Sequence, residues 1–238
     1  MRKLTLMAVA AVTALCAVGI AQAVTPTTAI KTSVSPSKKG TAKKPANVKL
    51  NVELITQPTA GEPAFATRST VVHFDKNLKF GGKNLKSCSS SQVQADDTKC
   101  PKGSKVGSGS ATGSALGLTE NLTVTAYNGP KGTKLELLVD GQSPLQIHSV
   151  IEGKLQSDSG LYGQKLVVAI PEGLQQPAPG AYATLVQFDT TINRVLGSKK
   201  RPYVGINSCP SNKKVAFGVD YKYTDGTSKS TTTTAKCS

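Results

Sequence analysis

"VKLNVELI", residues 48–55, places Val48, Leu50, Val52 and Leu54 on one face of an extended chain and Lys49, Asn51 and Glu53 on the other. Side chains of a strand point alternately to opposite faces, so this period of two reads as a strand with one buried and one wet face. The pattern recurs in "RSTVVHFD" (68–75), "NLTVTAYN" (121–128), "TKLELLVD" (133–140), "LQIHSVIEG" (145–153), "QKLVVAIP" (164–171), "AYATLVQFDTTI" (181–192) and "KKVAFGVDYKY" (213–223). Turn signals separate the runs: Asn128-Gly129-Pro130, Asp140-Gly141, Gly160 and Gly163, Pro177 to Gly180, and Asp225-Gly226. No long stretch has apolar residues at helical spacing; "SSSQVQADD" (89–97), which opens on a potential serine cap, suits a short helical turn. About nine to eleven strands predict an all-β domain, a single antiparallel β-sandwich of immunoglobulin-like or jelly-roll-like type, over residues 47–238. Its last hairpin joins 213–223 to "SKSTTTTAK" (228–236), a polar, threonine-rich strand suited to an edge.

The start of the chain reads as an export signal. Arg2 and Lys3 precede an apolar run from Leu4 to Ile20, and Ala21-Gln22-Ala23 supplies small residues at the positions a signal peptidase reads, so cleavage is expected before Val24. The run falls short of the roughly 20 apolar residues of a membrane span, and no second apolar run follows. Cys16 is preceded by Leu15 and lies within the apolar run, so it belongs to the discarded peptide rather than to a lipid-modified terminus. The chain carries a net charge of +15; removing residues 1–23 takes away two basic residues and no acid, leaving about +13. Residues 24–46 are rich in Thr, Ser, Pro and Lys and poor in core formers, which predicts a disordered basic linker, dispensable for folding and attracted to an anionic envelope.

Four of the five cysteines remain after cleavage: Cys88, Cys100, Cys209 and Cys237. An even number in an exported chain reads as two disulfides with three possible connectivities. Sequential pairing, Cys88–Cys100 and Cys209–Cys237, is favoured because each pair closes one local unit. Metal binding is not expected, since zinc sites cluster their ligands two to four residues apart and His73 and His148 each stand alone in a strand-like run.

The glycine-rich stretch "CPKGSKVGSGSATG" (100–113) invites a phosphate-loop reading that its spacing refuses. Counting from Gly107, the second glycine of a P-loop falls on Thr112 and the lysine on Gly113, and the dinucleotide fingerprint fails at 112 as well. The better reading is a strand of small side chains that lets a neighbour pack closely, at a bend or bulge. Other catalytic templates are missing. His148 and Ser149, adjacent on a strand, point to opposite faces, and Asp96-Asp97 reads as a solvated turn. The sequence therefore assigns no catalytic residue, no cofactor and no metal. Nucleic acid is disfavoured as a partner, because aromatics are few and not interleaved with the lysines. Asn121-Leu122-Thr123 matches a glycosylation sequon.

Taken together, Cys88, "CPKGSKVGSGSA", "TAYNG", "YGQKLVVAIP", the second "CP" and the closing "YTDGTSKSTTTTAKC" resemble an uncharacterised group of secreted proteins of soil actinobacteria, with a basic Ser-Pro-Lys linker after the signal peptide. The resemblance implies export and one disulfide-stapled β domain, and transfers no activity. The expected function is a non-enzymatic extracellular or envelope-associated structural or adhesive protein. The alternative is a binding module for an anionic cell-wall polymer or polysaccharide, for which Lys83, Lys86, Lys102 and Lys105 would need to converge.

Overall fold

The computed structural model describes residues 26–57 and 66–238; the expected signal peptide, residues 1–23, lies outside them. In chain order the strands are β1 (Thr27–Ser35), β2 (Ala46–Asn47), β3 (Lys49–Gln57), β4 (Thr67–Asp75), β5 (Leu78–Phe80), β6 (Lys105–Ala115) and β7 (Leu118–Asn128). They continue with β8 (Lys134–Gly141), β9 (Ile147–Ser157), β10 (Tyr162–Ala169), β11 (Thr184–Ile192), β12 (Val204–Ile206), β13 (Lys214–Tyr223) and β14 (Ser228–Lys236). Two short helices, α1 (Ser90–Asp96) and α2 (Glu172–Gln175), and a few 3-10 turns lie between the strands.

Eleven strands form one sheet in the order β1-β3-β11-β6-β7-β8-β9-β10-β4-β13-β14, every neighbouring pair antiparallel. The sheet is rolled nearly closed into a barrel, with β1 and β14 alongside each other. Because the strand count is odd, those two edges run in the same direction. The all-β class and both disulfides are present, but a barrel wall stands where a two-layered sandwich was expected. Alternation reports only that each strand has one buried face. Sandwich and barrel both satisfy it, and only the pairing order separates them.

The strand β1 overturns the expected linker. Residues 27–35 pair with β3 over nine positions, from Thr27–Gln57 to Ser35–Lys49, and turn Ile30 and Val34 into the core. Lys31 faces Glu53 across the pair, with Nζ 3.3 Å from the carboxylate. Beyond it, Lys39 N–H donates to the Ser238 carbonyl and Ser238 N–H to that of Ser37, while Gly40 N–H reaches Ile206. The average composition of residues 24–46 conceals a short run, "TTAIKTSVS", whose alternation suits an edge strand. The domain therefore extends at least to Thr27 rather than starting at residue 47.

A three-stranded sheet, β2-β12-β5, closes one end of the barrel. Its strands lie next to the start of β3, the end of β4 and the start of β13, and Val48, Leu78, Tyr203, Val204 and Ile206 are fully buried around it. Phe80 packs on Phe74 at 4.8 Å between ring centroids and on Tyr203 at 6.0 Å, so an aromatic floor seals this end. Among the described residues no helix is long and apolar enough to cross a membrane.

Outside the wall, α1 and the Cys88–Cys100 bridge cover a second, small core of Cys88, Val93, Tyr127 and Leu138. Ser89 caps α1 by accepting from Gln92 N–H. This cover buries Glu136 completely: Ser90 Oγ donates to Oε2 at 2.8 Å, while Oε1 has no partner. Burial pushes its carboxyl above the ordinary 4.5. A folded-state pKa above the unfolded one favours folding in acid, and that contribution is lost as pH rises through the folded value. Glu136→Gln, which keeps the Ser90 hydrogen bond and removes the buried charge, is accordingly expected to stabilise the protein at pH 7 by about 1 kcal/mol or more. Urea unfolding at pH 7 and pH 4 checks this, the gain shrinking in acid.

Candidate functional site

The glycine-rich strand shapes the interior. The strand β6 alternates exposed serines, Ser108 and Ser110, with Gly107, Gly109, Ala111 and Gly113, and its start is bulged between Lys105 and Gly107. On its β11 side the backbones approach closely: a Cβ on Gly109 would lie 1.9 Å from the Asp189 carbonyl oxygen. Further along, Ala111, Gly113 and Ala115 face a cavity that they are too small to fill. About eight strands make a barrel just wide enough for side chains to occupy, and this one has eleven. Extra width and a wall of small residues leave a void of about 170 Å³ along the axis.

The void is apolar on nearly every side. Leu122 of β7, Leu137 of β8, Ile151 of β9, Leu166 of β10 and Phe188 of β11 contribute to its wall, and Phe80 and Tyr203 to its floor. Among the few polar lining residues, five have a buried oxygen with no hydrogen-bond partner: Glu120 Oε1 and the hydroxyls of Thr67, Thr184, Thr190 and Tyr203. Burial pushes the Tyr203 phenol well above its usual 10, so it stays protonated. Glu120 is 7% exposed, and its other oxygen accepts from Leu145 N–H at 2.9 Å, in the β8–β9 connection. An orphaned buried polar group costs about 1–3 kcal/mol, and five of them surround this one void.

The expected disulfide residues pair in sequence. Cys88 and Cys100 have Cα atoms 5.4 Å apart, and Cys209 and Cys237, flanking the β13–β14 hairpin, 5.7 Å. The segments that carry four exposed lysines meet at one end of the barrel. Asn128 Nδ2 donates to the carbonyls of Gly82 and Lys86, and its N–H to Ser104, so the segments carrying Lys83, Lys86, Lys102 and Lys105 meet at the floor end. Lys131 joins them, since Gly132 packs directly on Gly82 and Lys83. None of the five forms an ion pair among the described residues.

The histidines are not isolated. His73 lies between Asp158, 2.6 Å from Nδ1, and Asp220, 3.0 Å from Nε2. His148 bonds Asp140 through Nδ1 and the Gln94 carbonyl through Nε2, and the Asp140 hydrogen bond raises its pKa above 6.5. Neither ring has a free nitrogen, and Ser149 shares the inner parity of Ile147 and Ile151 while His148 is exposed. Asp96 and Asp97 act locally, accepting from Thr98 and from the Tyr127 hydroxyl at 2.6 Å. Asn121 of the sequon stands exposed on β7. No group of three or more His, Cys, Asp or Glu among the described residues is arranged to hold a metal ion.

No family model, curated protein or solved structure matches this chain. Glu120 was nonetheless visible in the sequence. In "LTENLTVTA" it shares the parity of Leu122 and Val124, so a carboxylate occupies an inward position of an otherwise apolar face. Glu136, on the outward parity of β8, carried no such signal, because the cover over it comes from a distant segment.

Proposed function

We propose that this is a non-enzymatic extracellular binding protein whose barrel holds one small apolar molecule. The apolar cavity of about 170 Å³ carries the reading. An apolar void of roughly 150 Å³ accepts a single aromatic ring. At about 24 cal/mol per Å³ such a void forgoes roughly 4 kcal/mol of packing, which a purely structural or adhesive protein has no reason to leave open. Filling it recovers energy of the order of a millimolar dissociation constant before any polar contact. Export is supported by the signal-like first 23 residues and the two disulfides, and the lack of a catalytic role by the occupied histidine nitrogens.

The meeting of the segments that carry Lys83, Lys86, Lys102, Lys105 and Lys131 favours a second reading, attachment of the floor end to an anionic envelope polymer. One methyl and amide NMR titration addresses both. Toluene is expected to shift the methyls of Leu122, Leu137 and Leu166, and polyphosphate the amides around Asn128, the latter fading with salt. A spectrum unmoved by toluene would remove the first reading, and one unmoved by polyphosphate the second.

A further inference from the structure

We infer that the guest carries a hydrogen-bond donor head, an alcohol or an amine, read by the Glu120 carboxylate; this rests on the interior being a ligand site. The residue lies 93% out of solvent on the inner face of β7, with Oε1 unpartnered and Oε2 held by Leu145 N–H. That second bond fixes the carboxylate and leaves one oxygen for a guest. Space exists beside it. Gly113 is the register partner of Glu120 on β6, and a Cβ built there would meet nothing nearer than the Thr184 carbonyl oxygen at 3.9 Å. On the other side Gly141 gives clearance, since a Cβ there would come within 2.6 Å of Oε1. The Thr184 hydroxyl, one register step from Gly113 on β11, is likewise buried and unpartnered. A carboxylate accepts and cannot donate when ionised, so it selects O–H or N–H and repels a second anion. The ring or short chain of the guest then extends along Leu122 and Leu137 toward the Phe80–Tyr203 floor.

The test uses four probes built on one ring, toluene, benzyl alcohol, benzylamine and benzoate, with the disulfide-intact mature protein and calorimetric or NMR dissociation constants. Hydrogen bonds to a charged group are worth about 1.5–3 kcal/mol, so the alcohol and the amine should each exceed toluene by about tenfold or more, with benzoate weakest. In Glu120→Leu the preference for both donors over toluene should vanish while toluene still binds. Equal binding of toluene and benzyl alcohol by the wild type, or an unchanged preference in the variant, overturns the proposal. Failure of toluene to bind wild type and variant alike instead removes the interior site on which it rests. Gly113→Val, whose Cβ enters open space and which keeps the carboxylate, guards against a misfolded Glu120 variant. It should fold and lose the donor probes at least tenfold, and undiminished binding would also overturn the proposal. The alcohol and the amine are told apart by their own ratio, since the alcohol can both donate to Glu120 and accept from Thr184, whereas the amine in its ammonium form can only donate.

Discussion

Deleting residues 27–39 from the mature protein is expected to unfold the barrel. The strand β1 pairs with β3 along its whole length, buries Ile30 and Val34, and is followed by the residues that bond Ser238. Burying two such side chains is worth about 1.5–3 kcal/mol each, and their loss would also bare the inward faces of β3 and β14 along the seam. The sum approaches the 5–15 kcal/mol that typically separates a folded domain from its unfolded chain. Circular dichroism and urea unfolding provide the measurement. A midpoint within error of the full mature protein would show that the strand is an accessory, as the composition of residues 24–46 suggested. The same deletion should also expose the edge of β3 and promote aggregation, because an unpaired strand edge templates association.

The second large effect concerns the bridge at the other side of the seam. Cys209→Ser with Cys237→Ser should cost about 3.6 kcal/mol by loop entropy, against about 3 for the Cys88–Cys100 pair. The structural consequences differ more than these figures. Cys237 directly precedes Ser238, whose backbone is bonded to Ser37 and Lys39, so this bridge anchors the junction of β14 with the segment after β1. Cys88–Cys100 fastens only the α1 cover on the outer wall. Reduction or double substitution at Cys209 and Cys237 should therefore lower the unfolding midpoint of the whole barrel. Loss of the other pair should chiefly raise hydrogen exchange around Leu138 and Val93. Equal global losses from both pairs would contradict this division.

What the sequence disclosed follows from the kind of signal each feature leaves. Period-two runs such as 48–55 and 213–223 located strands well, because each has a wet and a dry face wherever it sits. The closure of the sheet left no local mark: pairings such as β3 with β11 and β4 with β13 join residues more than a hundred positions apart. The reading of residues 100–113 as small side chains beside a bulge describes β6, yet the cavity those side chains leave depends on ten other strands. Composition misled at β1, where four lysines between 38 and 44 outweighed two well-placed apolar residues. Glu120 and Glu136 were equally visible as letters, and only the parity of Glu120 set it apart.

The meeting of the first and last strands at the seam has a consequence in time. The edges that meet at the seam belong to the first and last strands of the barrel, and Ser37 and Ser238, hydrogen-bonded across it, are 201 residues apart in sequence. Closing so long a loop is entropically expensive, and folding slows as such distant contacts dominate. A chain synthesised from its N-terminus must therefore carry β1 without its far neighbour until β14 has emerged. During that interval the apolar interior lies open along the unpaired edge of the sheet.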